Sequence, residues 1–491
     1  MSKFIGREPE LEALDRELAQ KRPSLLIVYG RRRVGKSRLL QEAVSGRPFV
    51  YFQASRETTV LNIEALKRAI ATALGADPLL AGLSGWEGIL HYLAGAAKLH
   101  PGLAVIIDEF SYLSDGDPAL PSILQKFWDS SEPNAGRLKL ILCGSIISSM
   151  EVLLAERNPL YGRQTGKFDI HPLTLRDAAR FFPEYSAEDQ ILAYAIFGGI
   201  PYYLEACDPD RSLEDNVNDL LLSRTGRFFE EPANILQSEL REVKIYSSIV
   251  HAIAGGAREH NEIKTKALGS DAKVSLSPYL DQLTAMRLVK TVRSIDASPK
   301  SRNNRYVISD RLMDFWNRFV GPNAESISLG FGREVWKQQI APRLSDYMGP
   351  VFEEICRDHA RLYSQELLPA PAQIVGQFWA ADYDIDVIGR LLDGAFIHGE
   401  CKWSTSLIGE NILDHLLERA SKADYGKEAK TSYHLLYAKT GFTDALKARL
   451  AVMPSLRLVT LSDLLGGPAK KPRKVTSRGR AKHPKQTRRK K

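Results

Sequence analysis

The sequence predicts an α/β protein. A parallel sheet with crossover helices comes first, then a helical stretch, a compact three-helix unit closed by a hairpin, and a second α/β unit. Three observations carry this reading. Short apolar runs at 25–29, 49–53, 103–107, 138–143 and 168–170 alternate with amphipathic helical stretches, the rhythm of buried parallel strands. Between 243 and 308, three helical stretches precede two short strands joined by a polar loop. From 340 to 465 the text reads helix, strands, helices and strands again. A chain of 491 residues, 44% hydrophobic, exceeds what one core usually supports, so several folded units are expected.

In order, these are an α/β core over 1–175, a helical subdomain over 176–235, the three-helix unit over 236–321, the second α/β unit over 340–465 and a basic tail over 466–491. Gly198-Gly199-Ile200-Pro201 must interrupt the helical subdomain, and Gly321-Pro322 is expected to end the helix at 310–320 and mark a domain boundary. The formal charge of +8 is uneven. Residues 470–491 carry twelve Lys or Arg and no acid, so +8 less the tail's +12 leaves the rest of the chain at −4. With almost no large apolar residue the tail cannot form a core and is expected to stay disordered. Cys143, Cys207, Cys356 and Cys401 lie far apart without CxxC spacing, which argues against a disulfide framework or zinc knuckle and fits a reducing cytoplasm. No apolar run is long enough to span a bilayer, so no membrane partner is expected.

Gly30-Arg31-Arg32-Arg33-Val34-Gly35-Lys36-Ser37 matches GxxxxGK[ST] in full, after an apolar strand and before an amphipathic helix. The two glycines let the backbone curl so that its N–H groups point at phosphate oxygens, and the helix aims its positive end at the same place. Lys36 would reach the β and γ phosphates of ATP, and Ser37 would ligate Mg²⁺. Val105-Ile106-Ile107-Asp108-Glu109 supplies the second half: Asp108 to hold Mg²⁺ through water, Glu109 to orient and deprotonate the attacking water. Ser145, after the run at 138–143, either reports on the γ-phosphate or simply turns the chain. Arg163 either stabilises charge on the transferring phosphoryl group, in cis or across a homo-oligomer contact, or is an exposed arginine without such a role.

Taken with Phe4-Ile5-Gly6-Arg7-Glu8, Glu10-Leu11, Gly144-Ser145, Leu160-Tyr161-Gly162-Arg163 and Gly198-Gly199-Ile200-Pro201-Tyr202-Tyr203-Leu204, these motifs resemble the archaeal-type ATPases of the STAND branch of AAA-like P-loop NTPases over about residues 1–320. The resemblance implies that Gly6 and Arg7 lie near the nucleotide base, that Pro201 packs on the adenine side, and that a winged helix closes over bound nucleotide. The three-helix unit has the outline of that winged helix. The stretch 275–286 stands where a recognition helix would, and the loop from Asp296 to Arg305 offers Lys300, Arg302 and Arg305 for phosphate contact. Asp281 within the helix counts against DNA reading, and in STAND proteins this domain often serves as an internal clamp.

In the second α/β unit, Tyr383–Ile388 reads as a strand, Asp393-Gly394 as a turn and 395–403 as its hairpin partner. Glu400 and Lys402 share one face, and Asp386 reaches it from across the hairpin. Asp386 and Glu400 would hold Mg²⁺ with the Cys401 carbonyl, and Lys402 would position a water or steady developing charge. This arrangement resembles the PD-(D/E)xK nuclease superfamily, with Ile385 in place of the proline of the family name and Glu353 as the extra acid that many members carry in their first helix. Nuclease-like domains are commonly appended to archaeal-type ATPases. The resemblance implies a restriction-endonuclease-like fold directed at nucleic acid, DNA favoured, with the tail as a second polyanion contact. Two readings follow: an ATP-regulated enzyme that cleaves DNA, and a non-cleaving ATP-dependent regulator that binds DNA or a partner.

Overall fold

The computed structural model describes residues 4–130, 137–271, 273–298, 304–427 and 430–467. Lys300 and Arg302 of the expected basic loop, and the tail beyond Gly467, lie outside the described residues.

The first sheet contains β1 (Ser24–Gly30), β2 (Phe49–Gln53), β3 (Ala104–Asp108), β4 (Lys139–Gly144) and β5 (Gly166–Ile170), in spatial order β2-β3-β4-β1-β5 and with every neighbouring pair parallel. This is an arrangement typical of P-loop NTPases. All seven residues of β1 are buried, and its side chains alternate between two cores. Leu26 and Val28 join one, while Leu25, Ile27 and Tyr29 join the other. Continuous apolar runs, rather than alternation with polar residues, are what a sheet covered on both faces demands. Because β4 is inserted between β1 and β3, the ends of three adjacent strands converge on one edge: Gly30, Ser145 and Asp108-Glu109.

The helices Val243–Ala254, His260–Leu268 and Ser277–Ala285 precede a two-stranded antiparallel hairpin of β6 (Val289–Val292) and β7 (Arg305–Ile308). Each lies within a few residues of its expected span. Leu280 and Leu283 turn the third helix into a core shared with Ile249, Ile253 and Ile263.

The helix expected to end at Gly321-Pro322 does not end there, and this is a correction. The helix that begins at Arg311 continues through Trp316–Val320 as a wide π turn, tightens over Gly321–Asn323 and goes on through Ala324–Ser328. The same device recurs twenty residues later: a π turn at Trp336–Ile340, a tight turn over Ala341–Arg343 containing Pro342, and the helix Leu344–Leu362. A proline lacks an N–H and its ring presses on the preceding turn; widening that turn relieves the conflict without ending the helix.

The second sheet runs β12-β11-β10-β9-β8: β8 (Ala372–Trp379), β9 (Asp384–Leu391) and β10 (Phe396–Lys402) are antiparallel, and β11 (Ser432–Ala438) and β12 (Leu456–Thr460) continue parallel to β10. It is not free of the first part. Phe315, Phe319, Tyr347 and Phe352 lie in the same continuous core as Leu26 and Val28 of β1, and the Tyr347 hydroxyl donates to the Ala195 carbonyl at 2.7 Å. Arg176 joins the units again through Glu366, at 2.6 and 2.7 Å, and stacks on Tyr363.

Candidate functional site

Backbone constraints build the phosphate loop. A side chain at Gly30 would put its Cβ 2.2 Å from the Ile170 carbonyl oxygen of β5, and Gly35 has φ 92°, where a Cβ is disfavoured. The helix Lys36–Ala43 starts directly after that left-handed residue. Lys36 is 6% exposed, and its ammonium donates to the carbonyls of Gly30 at 2.8 Å and Arg31 at 2.9 Å. Burial pushes its pKa down, against the pull of Cys143, Glu109 and Asp108. The Ser37 hydroxyl donates to Asp108 at 2.5 Å, and Asp108 also accepts from Tyr51 at 2.6 Å and from the Glu109 amide at 2.9 Å. Glu109, in the left-handed region at φ 54°, accepts from the Ser145 hydroxyl at 2.7 and 2.9 Å. The structure therefore brings the loop, the two acids and Ser145 together at one edge of the sheet. A hydroxyl and a carboxylate this close, at the start of a helix, are the oxygen donors that Mg²⁺ with a nucleotide takes.

Two of the loop's three arginines are anchored elsewhere. Arg31, 9% exposed, donates to Asp310 at 2.6 Å. Arg33 pairs with buried Glu231 and lies 4.4 Å from the Tyr202 ring centre. Arg32 is exposed. Arg7 donates to the carbonyls of Val34, at 3.0 Å, and His171, so it braces the loop's backbone. The Pro201 ring lies over Gly35, with its Cγ 3.5 Å from where a Cβ would stand. Arg163 is not brought to the loop. It pairs with Asp129 at 2.8 Å and is solvated.

A cavity of about 130 Å³ beside the loop is lined by Arg31, Arg32, Arg33, Ser145, Arg56 and Glu239, with Gln282 and Met286 of the third helix opposite. That helix thus faces the loop, an inward placement. Arg56 and Glu239 have no motif to betray them and are missed by sequence reasoning, as is Tyr51, which reads as one more apolar strand residue. Burial raises the Glu239 pKa, opposed by Arg31, Arg32 and Lys36.

In the second sheet the hairpin forms as expected, and Asp386 and Glu400 face each other across it. Asp386 accepts from the Cys401 amide at 2.8 Å, and Lys402 donates to Glu400 at 2.6 Å. Arg419 also reaches Glu400, at 3.2 Å, a partner given by no motif. Burial, then the charges of Glu353 and Glu400, push Asp386 up to about 8. Glu353 lies 3.6 Å from Arg357 and close enough to Asp386 for its charge to act on it. Among the described residues no group of three or more His, Cys, Asp or Glu side chains is assembled to hold a metal. Two carboxylates still fit Mg²⁺, which takes one or two of them and fills its remaining positions with water and phosphate.

Residues 4–207 match a family described as an ATPase domain predominantly from Archaea, and residues 316–416 match a family of archaeal and bacterial proteins of unknown function. The second match straddles both π turns and ends past β10. An uncharacterized protein of Methanocaldococcus jannaschii is 32% identical over 406 residues, covering 82% of this chain and 87% of its own length. An uncharacterized ATP-binding protein of the same organism is 41% identical over 44 residues, 9% of this chain and 75% of that protein. A Walker-type ATPase of Pyrococcus abyssi shares the fold at a TM-score of 0.50, with 22% identity, over 64% of this chain and 96% of that one. Among the described residues no helix is long and apolar enough to cross a membrane. With an archaeal-type ATPase domain joined to a carboxy-terminal region of unknown function, the chain belongs to the family of the Methanocaldococcus relative that is 32% identical to it.

Proposed function

We propose that this chain is a Mg²⁺-dependent ATP-binding and hydrolysing switch, and that its nucleotide state controls a nucleic-acid-directed, PD-(D/E)xK nuclease-like site in the second sheet. The observation that carries the reading is a path of ion pairs. Arg31 of the phosphate loop holds Asp310; the next residue, Arg311, holds Glu354 at 3.0 Å; and the residue beside Glu354 is Glu353, whose charge acts on Asp386. Lys290 of β6 joins Glu354 at 2.5 Å. Burial opposes ionisation of Glu354, but Arg311 and Lys290 overrule it and hold the carboxyl down to about 2. Charge arriving among Arg31, Arg32 and Lys36 therefore competes directly with the carboxylate at the head of that path.

In this reading Lys36 and the loop amides hold the triphosphate, and Ser37 and Asp108 hold Mg²⁺, which neutralises phosphate charge. Glu109, oriented by Ser145, takes the proton of the attacking water. Arg56 is better placed than Arg163 to meet phosphate charge in cis. The three helices and hairpin act as a winged helix that closes on the nucleotide, since Gln282 and Met286 face the loop. At the second site Asp386 and Glu400 would hold a divalent ion that polarises a phosphodiester, and Lys402 would steady the developing charge.

A second reading, a non-cleaving ATP-dependent regulator of DNA or of a partner, is favoured by one observation: Lys402 and Arg419 both hold Glu400 in ion pairs. Metal-dependent cutting of DNA by the purified chain, abolished in Asp386→Ala and Lys402→Ala, separates the two. Cutting that persists in both variants, or is absent from every DNA and RNA substrate, sinks the nuclease reading.

A further inference from the structure

Between the hairpin β6–β7 and the second sheet lies a cleft of about 370 Å³. One wall is the hairpin with the end of the helix Val243–Ala254; the other is the helix Leu344–Leu362 with β8. The hairpin is fastened to the sheet at one side of the cleft. The Ile295 amide donates to the Gln377 carbonyl at 2.9 Å, and Arg305 lies 4.2 Å from the centre of the Trp379 ring. Eight Lys or Arg line this space against four Asp or Glu.

The excess is not spread evenly. On the wall of the second sheet the cations are committed: Arg357 to Glu353, Arg361 to Asp358 at 2.6 Å. On the hairpin wall, Arg258, Arg293 and Arg305 make no ion pair with any described carboxylate. Among the described residues Arg293 donates only to the Asn304 side chain, at 2.8 Å. Arg258 and Arg293 are exposed. Three unpaired guanidinium groups in one concave space form a polyanion site, because each retains donors arranged for phosphate oxygens.

The far side of the cleft identifies the polyanion. Glu353 lines it, and Arg357, another lining residue, donates to the Asp386 backbone carbonyl at 2.8 Å. A phosphodiester strand lying along the hairpin arginines would therefore run to the carboxylates of the second site. The volume sets the form. A space of this size holds a ligand of one or two nucleotides, whereas a duplex has a major groove alone about 12 Å wide. We infer that this cleft binds a single strand of nucleic acid through its phosphates, on Arg258, Arg293 and Arg305, and leads it to the Asp386–Glu400 site. The inference rests on the nuclease-like reading for its destination and on the unpaired arginines for its occupant.

The test is binding of a fluorescein-labelled twelve-nucleotide oligo(dT) to the full chain, with divalent ions chelated so that no strand is cut. Parent and Arg258→Glu/Arg293→Glu proteins are compared across salt concentrations, with a duplex of the same length as competitor. The charge-reversed protein is expected to bind at least about tenfold more weakly and to lose about 1.4 from the slope of log affinity against log salt, about 0.7 for each phosphate contact removed. The neutral pair Arg258→Gln/Arg293→Gln should fall between, which a misfolded variant would not do. Equal affinity and slope in parent and charge-reversed protein, or a duplex that displaces oligo(dT) as well as unlabelled oligo(dT) does, overturns the proposal. Weakened binding in a protein that never cuts with Mg²⁺ restored would leave the cleft standing and remove the nuclease reading alone.

Discussion

The two sheets end in acidic sites of opposite character. At the phosphate loop Lys36 holds the loop carbonyls, Asp108 accepts from Ser37 and Tyr51, and Glu109 accepts from Ser145. In the second sheet Asp386 accepts from a backbone amide but sits within reach of two other carboxylates, and burial with their charge drives it up to about 8. The first site is a socket formed by backbone and waiting for an anion. In the second, Lys402 and Arg419 hold Glu400 and Arg357 faces Glu353, while Asp386 is left with a backbone amide and the charge of its neighbours. In the switch we propose, phosphate at one end and a cation at the other would shift opposite kinds of charge along one path.

The contrast can be broken most sharply at the path itself. Asp310→Ala leaves the Arg31 guanidinium buried without its carboxylate and removes the acceptor of the Met313 amide. We expect a loss of about 3–5 kcal/mol in denaturant unfolding, and an unchanged midpoint would show that the pair is not a joint. Next is the socket. Lys36→Ala should fold but hydrolyse ATP about 10²–10³-fold more slowly; measured turnover equal to the parent's would remove the loop from the chemistry.

Acid should then separate the two regions. Burial holds His359 and His398 down to about 4, well below the 6.5 of an exposed imidazole. The unfolded chain therefore binds protons first as pH falls, and stability present above about 6.5 is lost between there and 4, by about 3 kcal/mol for each histidine. Both lie in the second unit, so hydrogen exchange at pH 5 should rise in β10 and the helix Leu344–Leu362 before it rises in β1. Simultaneous exchange would merge what we treat as distinct. The smallest effect belongs to Tyr51→Phe, which removes one of the three donors to Asp108. It should cost about 1 kcal/mol and change the Mg²⁺ concentration needed for half-maximal hydrolysis while leaving the fold intact.

Much of this was legible in the sequence, and the limits are physical. β1, β3 and β4 declare themselves because strands covered on both faces must be apolar throughout, and the loop because only glycines fit at 30 and 35. The hairpin of β9 and β10 is announced by Asp393-Gly394, with Gly394 at φ 88°. What could not be read is whatever depends on packing between distant segments. Gly321-Pro322 looks like a helix end, yet the proline is absorbed by a π turn. Arg163 sits in a motif but is paired with Asp129, while Arg56 and Glu239, which line the loop's cavity, belong to no motif, Arg56 in the loop after β2 and Glu239 at the end of a helix. Arg31–Asp310 joins residues 279 apart, a pairing that neither periodicity nor composition encodes.

The most direct measurement is the rate at which the full chain cuts a single-stranded oligonucleotide in Mg²⁺, with and without ATP, in the parent and in Glu354→Gln. If nucleotide state travels along the ion pairs, ATP should change the parent's rate about tenfold and leave the variant's nearly unaltered. The same rate with and without ATP in the parent, or an equal ATP response in both proteins, would contradict the account.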